Sequence, residues 1–171
     1  MLTLPERVRF KKQPYLSLRS RLSARQLMTQ AQVFLAEVRS ELQSQQVTDY
    51  GRAFFRYNLF APNGEMEIEF GYFTPRLLPA KTPFRSAYMP GGLFVSVQWR
   101  GHYDRLREVH SMLRGWMGVM GCPPEQSPGA DGMAYACCLN IFHKSILHDP
   151  DPANWITQVA YALPAGSGSA G

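Results

Sequence analysis

The chain has 171 residues, 45% apolar and 18% charged, with a formal net charge of +5. This suits one compact domain with a real core and excludes a disordered segment. The apolar runs fall well short of the roughly 20 residues that cross a bilayer, and no secretory signal opens the chain, so a soluble cytoplasmic protein with no membrane partner is expected.

The first predicted element is an extended stretch from Val8 to Arg21, where Leu16 and Leu18 alternate with polar residues. Most of the excess positive charge lies here: Arg7, Arg9, Lys11, Lys12, Arg19, Arg21 and Arg25 face only Glu6 in the first 25 residues. Alternation of Arg7, Arg9 and Lys11 reads as a solvated strand face, which ranks a nucleic-acid partner below a small-molecule one. Ser23 caps a helix in which Leu27, Ala31, Phe34, Leu35, Val38 and Leu42 recur every three or four residues. Ala53 to Phe60 is an aromatic strand, Pro62-Asn63-Gly64 a turn, and Glu65 to Tyr72 a strand alternating Glu65, Glu67, Glu69 with Met66, Ile68, Phe70. Residues 76–85, in a proline-rich stretch, read as a connector.

The pattern then restarts, with a strand from Leu93 to Trp99 and a helix from His102 to Gly121 that places Leu106, Val109, His110, Leu113, Met117 and Met120 on one side. Leu16–Leu27 lies over Val95–Leu106 without a gap, Gly51-Arg-Ala-Phe answers Gly132-Met-Ala-Tyr, and Tyr72-Phe-Thr-Pro75 answers Tyr161-Ala-Leu-Pro164. The predicted fold class is α+β: two fused β-α-β-β modules with pseudo-twofold symmetry, antiparallel sheets with helices on one side, and a central ligand groove. One domain spans residues 1–164, with module one at about 5–75, the connector at 76–85 and module two at about 86–164. Residues 165–171 read as a flexible tail.

A β-α-β-β module covers one sheet face with its helix and leaves the other free, so two free faces can close over a ligand. With Met66, Ile68 and Phe70 toward the helix, Glu67 and Glu69 become the candidate acids. Phe55, Tyr57, Trp99, Tyr103, Tyr135, Trp155 and Tyr161 are the candidate ring walls for a hydrophobic, aromatic small molecule. Cys122, Cys137 and Cys138 read as free, packed thiols, His110 as a core histidine, and His143 with His148 as a poor metal pair, so neither metal nor cofactor is expected.

The run Pro90-Gly91-Gly92-Leu-Phe-Val-Ser-Val-Gln-Trp-Arg-Gly101-His-Tyr103, a helix with Leu113-Arg-Gly-Trp116, and His148-Asp149-Pro150 before the last strand resemble the second half of GyrI-like small-molecule-binding domains. These are the effector-binding domains of AraC-type and MerR-type multidrug regulators. Pro5-Glu6-Arg7-Val8, Arg56-Tyr57 and Tyr72-Phe-Thr-Pro75 are similar to the first half, so the resemblance spans residues from about 5 to 164. It implies a central pocket for hydrophobic, often cationic or aromatic compounds, lined by rings and commonly a glutamate. The family's Glu-x-Tyr falls on Lys144 and Ile146 counted back from Asp149, or near Cys137 and Cys138 on the module repeat, so any pocket acid must come from Glu67 or Glu69. No helix-turn-helix is expected ahead of the first strand. The expected function is therefore drug or toxin sequestration or effector sensing. The alternative is hydrolysis of a reactive electrophile, with Glu69 activating water or protonating an opening ring. A protein partner or a second copy stays open.

Overall fold

In the computed structural model, which describes residues 1–168, the N-terminal extended stretch is two strands, β1 (Glu6–Phe10) and β2 (Gln13–Leu22). They part at Lys11-Lys12 and pair with different partners, which a reading of alternation alone could not separate. Arg7 and Arg9 are exposed while Val8 and Phe10 turn inward. Helix α1 (Ala24–Ser44) opens with a capping box: Ser23 Oγ accepts from the Gln26 N–H and the Gln26 side chain accepts from the Ser23 N–H. Its stripe of Ala31, Leu35, Val38 and Leu42 is buried.

Strands β3 (Ala53–Phe60) and β4 (Met66–Phe73) form the expected hairpin. Strand β5 (Phe84–Met89) begins inside the expected connector and runs beside β2; β6 (Gly92–Arg100) follows. A short 3-10 turn at Tyr103–Arg105 leads into α2 (Leu106–Val119), and β7 (Gln126–Gly129), β8 (Gly132–Tyr135), β9 (Cys138–Lys144) and β10 (Ile156–Ala162) complete the fold.

The strands make one antiparallel sheet in the order β1-β6-β10-β9-β3-β4-β2-β5, with the β7-β8 hairpin attached to β3 through β8. Both halves follow one plan. β2, α1, β3 and β4 give the order β3-β4-β2, and β6, α2, β9 and β10 give β9-β10-β6. The halves join where β3 pairs with β9 and Phe55 faces Asn140. At the edges β1 leaves its own half to pair with β6, and β5 leaves its half to pair with β2, so the sheet curls into a half-barrel. The stretch Gly132–Tyr135 does not take the place of Gly51–Phe54; the counterpart of β3 is β9. Gly132, at φ 127°, lies so close to Phe60 that a Cβ would collide with the Phe60 carbonyl oxygen.

Alternation along the strands builds two apolar layers. Leu16, Leu18, Ile68, Phe70, Val95, Val97 and Val159 pack under the helices, and Tyr15, Phe54, Met89, Phe94, Leu139 and Ile141 pack on the opposite, helix-free face. Among the described residues no helix is long and apolar enough to cross a membrane. Residues 165–168 form a turn in which the Ser167 N–H donates to the Pro164 carbonyl; residues 169–171 of the expected tail lie outside the described residues.

Candidate functional site

The helix side of the sheet gathers rings along the seam between β3 and β9. Tyr57, Phe60, Tyr135, Tyr161 and His110 touch in a closed circle, with centroids 5.3 to 5.7 Å apart. Next to it Phe70, Phe55, Phe142, Tyr103 and Trp155 form a chain that ends in the Tyr103–Trp155 stack at 4.4 Å. Loop 145–151 closes its outer end. Trp155 Nε1 donates to the Asp149 carbonyl at 2.7 Å, the Ile146 N–H donates to Tyr103 Oη at 3.3 Å, and Lys144 pairs with Asp149 at 2.8 Å.

A hydrogen-bond chain runs through the circle. Arg114 donates to Tyr161 Oη at 2.8 Å, and that hydroxyl lies 2.7 Å from His110 Nδ1. His110 Nε2 lies 2.7 Å from Asn140 Oδ1, and Asn140 Nδ2 donates to Tyr57 Oη at 3.0 Å. Because Oδ1 can only accept, Nε2 carries the proton and Nδ1 accepts from Tyr161. Burial, helped by the Arg114 charge, pushes the His110 pKa down to about 4 against the pull of Asn140, so the ring is neutral at pH 7. Burial also pushes the Tyr57 and Tyr161 hydroxyls well above their ordinary value. The Tyr57 hydroxyl thus accepts one bond, and its own proton meets no acceptor among the described residues. Cys138 Sγ lies 4.0 Å from His110 Nδ1, but burial drives its thiol strongly upward; Cys137 is pushed up to about 12 for the same reason, so neither is a thiolate.

Of the residues nominated from sequence, Phe55, Tyr57, Tyr103, Tyr135, Trp155 and Tyr161 meet here. Trp99 lies on the same side but apart from both ring groups, its Nε1 donating to the His102 carbonyl at 3.0 Å. Glu67 and Glu69 occupy the helix-free face. Glu69 is 1% exposed and accepts from Tyr15 Oη at 2.9 Å, Ser17 Oγ at 3.0 Å and Asn58 Nδ2 at 2.9 Å. Burial alone would raise its pKa, but the bonds from Asn58 and Tyr15 and the charges of Arg56 and Arg85 hold it below the usual carboxylate value. It is an anchored anion, whereas a proton donor at neutral pH requires the opposite shift. Glu67 is half-buried and pairs with Arg19 at 3.1 Å.

Sequence reasoning did not single out Phe60, Arg114, Asn140 or Phe142. A signal for two of them exists: Asn140 interrupts the apolar run Cys138-Leu-Asn-Ile-Phe142, and Arg114 lies one helical turn beyond His110. Among the described residues no three of His, Cys, Asp and Glu come together as a metal site.

No family model and no curated protein matches the chain. Solved structures do share its fold. The chain is similar to EcmrR in its complex with DNA at TM-score 0.74 and 14% identity, covering 94% of this chain and 57% of that one. Against the isolated EcmrR C-terminal domain the values are 0.68 and 13%, covering 94% and 97%. SAV2435 bound to tetraphenylphosphonium matches at TM-score 0.57 and 7% identity over 95% of each chain. A hydrolase encoded by lin2189 from Listeria innocua matches at 0.58 and 8%, over 94% and 91%. The chain therefore spans a little over half of EcmrR and nearly all of its C-terminal domain. The chain thus shares the fold of the EcmrR C-terminal domain and of SAV2435.

Proposed function

We propose that the protein binds a flat, uncharged aromatic molecule among the rings on the helix side of its sheet, as a sensing or sequestering domain of the cytoplasm. The observation that carries this reading is the hydroxyl of Tyr57 inside a circle of rings: its oxygen accepts from Asn140 Nδ2, and its proton has no acceptor among the described residues. Rings supply the apolar contact area, and a buried donor without an acceptor is the polar group that a guest carbonyl would satisfy. Charge supports a neutral guest. Arg114 is the charged group bonded into the circle, and the buried carboxylate, Glu69, lies on the other face of the sheet. Phe60, Tyr103 and Tyr135 are half-buried and form the outer surface through which a guest would enter. The SAV2435 structure, with tetraphenylphosphonium bound, supports small-molecule binding by this fold. Three free cysteines suit a reducing compartment.

A hydrolase reading draws on the Listeria neighbour and on the row Cys138, His110 and Asn140. The thiol and the imidazole are both neutral, however, and Nδ1 already accepts from Tyr161, so the thiol has no free base. Binding is the stronger reading.

Fluorescence titration with acridone and with tetraphenylphosphonium tests it. Acridone should bind with a dissociation constant near micromolar, about −8 kcal/mol, and more tightly than the cation. Tyr57→Phe should weaken acridone roughly tenfold, the worth of one buried hydrogen bond. Tighter binding of the cation, or indifference of acridone to Tyr57→Phe, would reject the neutral-guest reading.

A further inference from the structure

A cavity of about 670 Å³ opens on the sheet face opposite the helices, and the ring site makes no use of it. Its volume falls within the roughly 300–1,000 Å³ of small-molecule sites. Strand alternation provides its apolar floor: Ile141 of β9, Phe73 of β4 and Met89 of β5 belong to the helix-free layer, back to back with the rings of Phe142 and Tyr72. The polar wall is self-satisfied, since His143 Nε2 and Gln158 Oε1 lie 2.8 Å apart and Gln158 Nε2 donates to Ser96 Oγ at 3.1 Å.

The remaining charged lining residues are Lys11, Arg52 and Asp49. Among the described residues none of the three makes an ion pair or a side-chain hydrogen bond, so the mouth of the cavity carries two uncommitted cations against one anion. Burial and, in smaller part, the Arg52 charge keep His143 below its ordinary pKa despite its bond to Gln158, which puts the guanidinium near the polar wall. An apolar floor next to a planar, unpaired guanidinium is the complement of a molecule with an apolar body and a carboxylate head.

We propose that this cavity is a second binding site, for amphipathic monocarboxylates, with the chain on Phe73, Met89 and Ile141 and the carboxylate on Arg52 and Lys11. The site lies on the other side of the sheet from the rings, so it stands or falls separately from the aromatic site.

Calorimetric titration with octanoate, octanol and octylamine tests the proposal. Octanoate should bind at least about tenfold tighter than octanol or octylamine, as a charged hydrogen-bond pair implies. Shortening it to hexanoate should cost up to roughly fourfold per methylene removed. Arg52 is exposed and its side chain has no ion-pair or hydrogen-bond partner among the described residues, so Arg52→Glu should leave the fold intact and reverse the preference toward octylamine. With methyl-labelled methionine, octanoate should shift the Met89 resonance and leave Met117, on the buried face of α2, in place. Equal affinity for the three probes, no binding at all, an unchanged preference in Arg52→Glu, or a shift at Met117 in place of Met89 would each overturn it. Tyr57→Phe should weaken acridone roughly tenfold while leaving octanoate affinity unchanged; an equal fall in octanoate affinity would contradict two separate sites.

Discussion

His110 illustrates how one side chain ties stability to pH. Both of its ring nitrogens are engaged, and its pKa falls from an ordinary 6.5 to about 4, chiefly through burial. Between these values the unfolded chain binds more protons than the folded one, so stability rises with pH in that window. The contribution is complete above about pH 6.5 and is lost as pH falls toward 4, with about 2 kcal/mol gone by pH 5. Urea unfolding at pH 7 and pH 5 should show this loss in the native protein and much less of it in His110→Gln. A native midpoint that stays flat across that range would contradict the burial argument. The depressed pKa of Glu69 gives stability that is present above the ordinary carboxylate range and is lost only as pH falls below it, whereas the His110 loss begins near pH 6.5.

Among the elements, the β7-β8 hairpin carries a ring to the site without belonging to either half's shared plan. It is held to β3 through Leu59 opposite Ala134 and Phe60 opposite Met133, and it brings Tyr135 against Phe60 and Tyr161. Gly132→Ala should therefore cost about 1–3 kcal/mol through its positive φ and the collision with Phe60. It should also speed amide exchange at Leu59 and Phe60 and weaken acridone. Gly115→Ala, in α2 with nothing within 4 Å, should instead stabilise by up to about 1 kcal/mol. Unchanged exchange in Gly132→Ala would show the hairpin to be dispensable to β3. Both helices and the β3-β4 hairpin were legible because their periodicities run long and agree with their caps and turns. Strand β5 was not: it is six residues long, sits at a sheet edge, and follows prolines. The rings of the site were legible as residue types, but their face was not. The register of β3 on β4 sets Arg56 opposite Glu69 and Phe55 opposite Phe70, and a register shift follows between Tyr57 and Leu59. Alternation says that neighbours diverge; only the pairing says which residues of the next strand they join.

At the scale of the whole molecule, a single curled sheet separates two chemistries. Its helix side carries the rings, a neutral imidazole and the Tyr57 donor; its helix-free side carries the buried Glu69 and the cavity beside Arg52. The two are one residue apart along β9, where Asn140 and Phe142 point one way and Leu139 and Ile141 the other. The fold shared with the EcmrR C-terminal domain and SAV2435 leaves the choice of face and guest to these side chains. The most direct test of the central claim is to record nuclear Overhauser contacts between bound acridone and the labelled protein. Contacts to Tyr57, Tyr103, Phe142 and Trp155, with none to Phe73 or Met89, are the predicted result. Contacts confined to Phe73, Met89 and Ile141 would place the aromatic guest on the helix-free face and contradict the account.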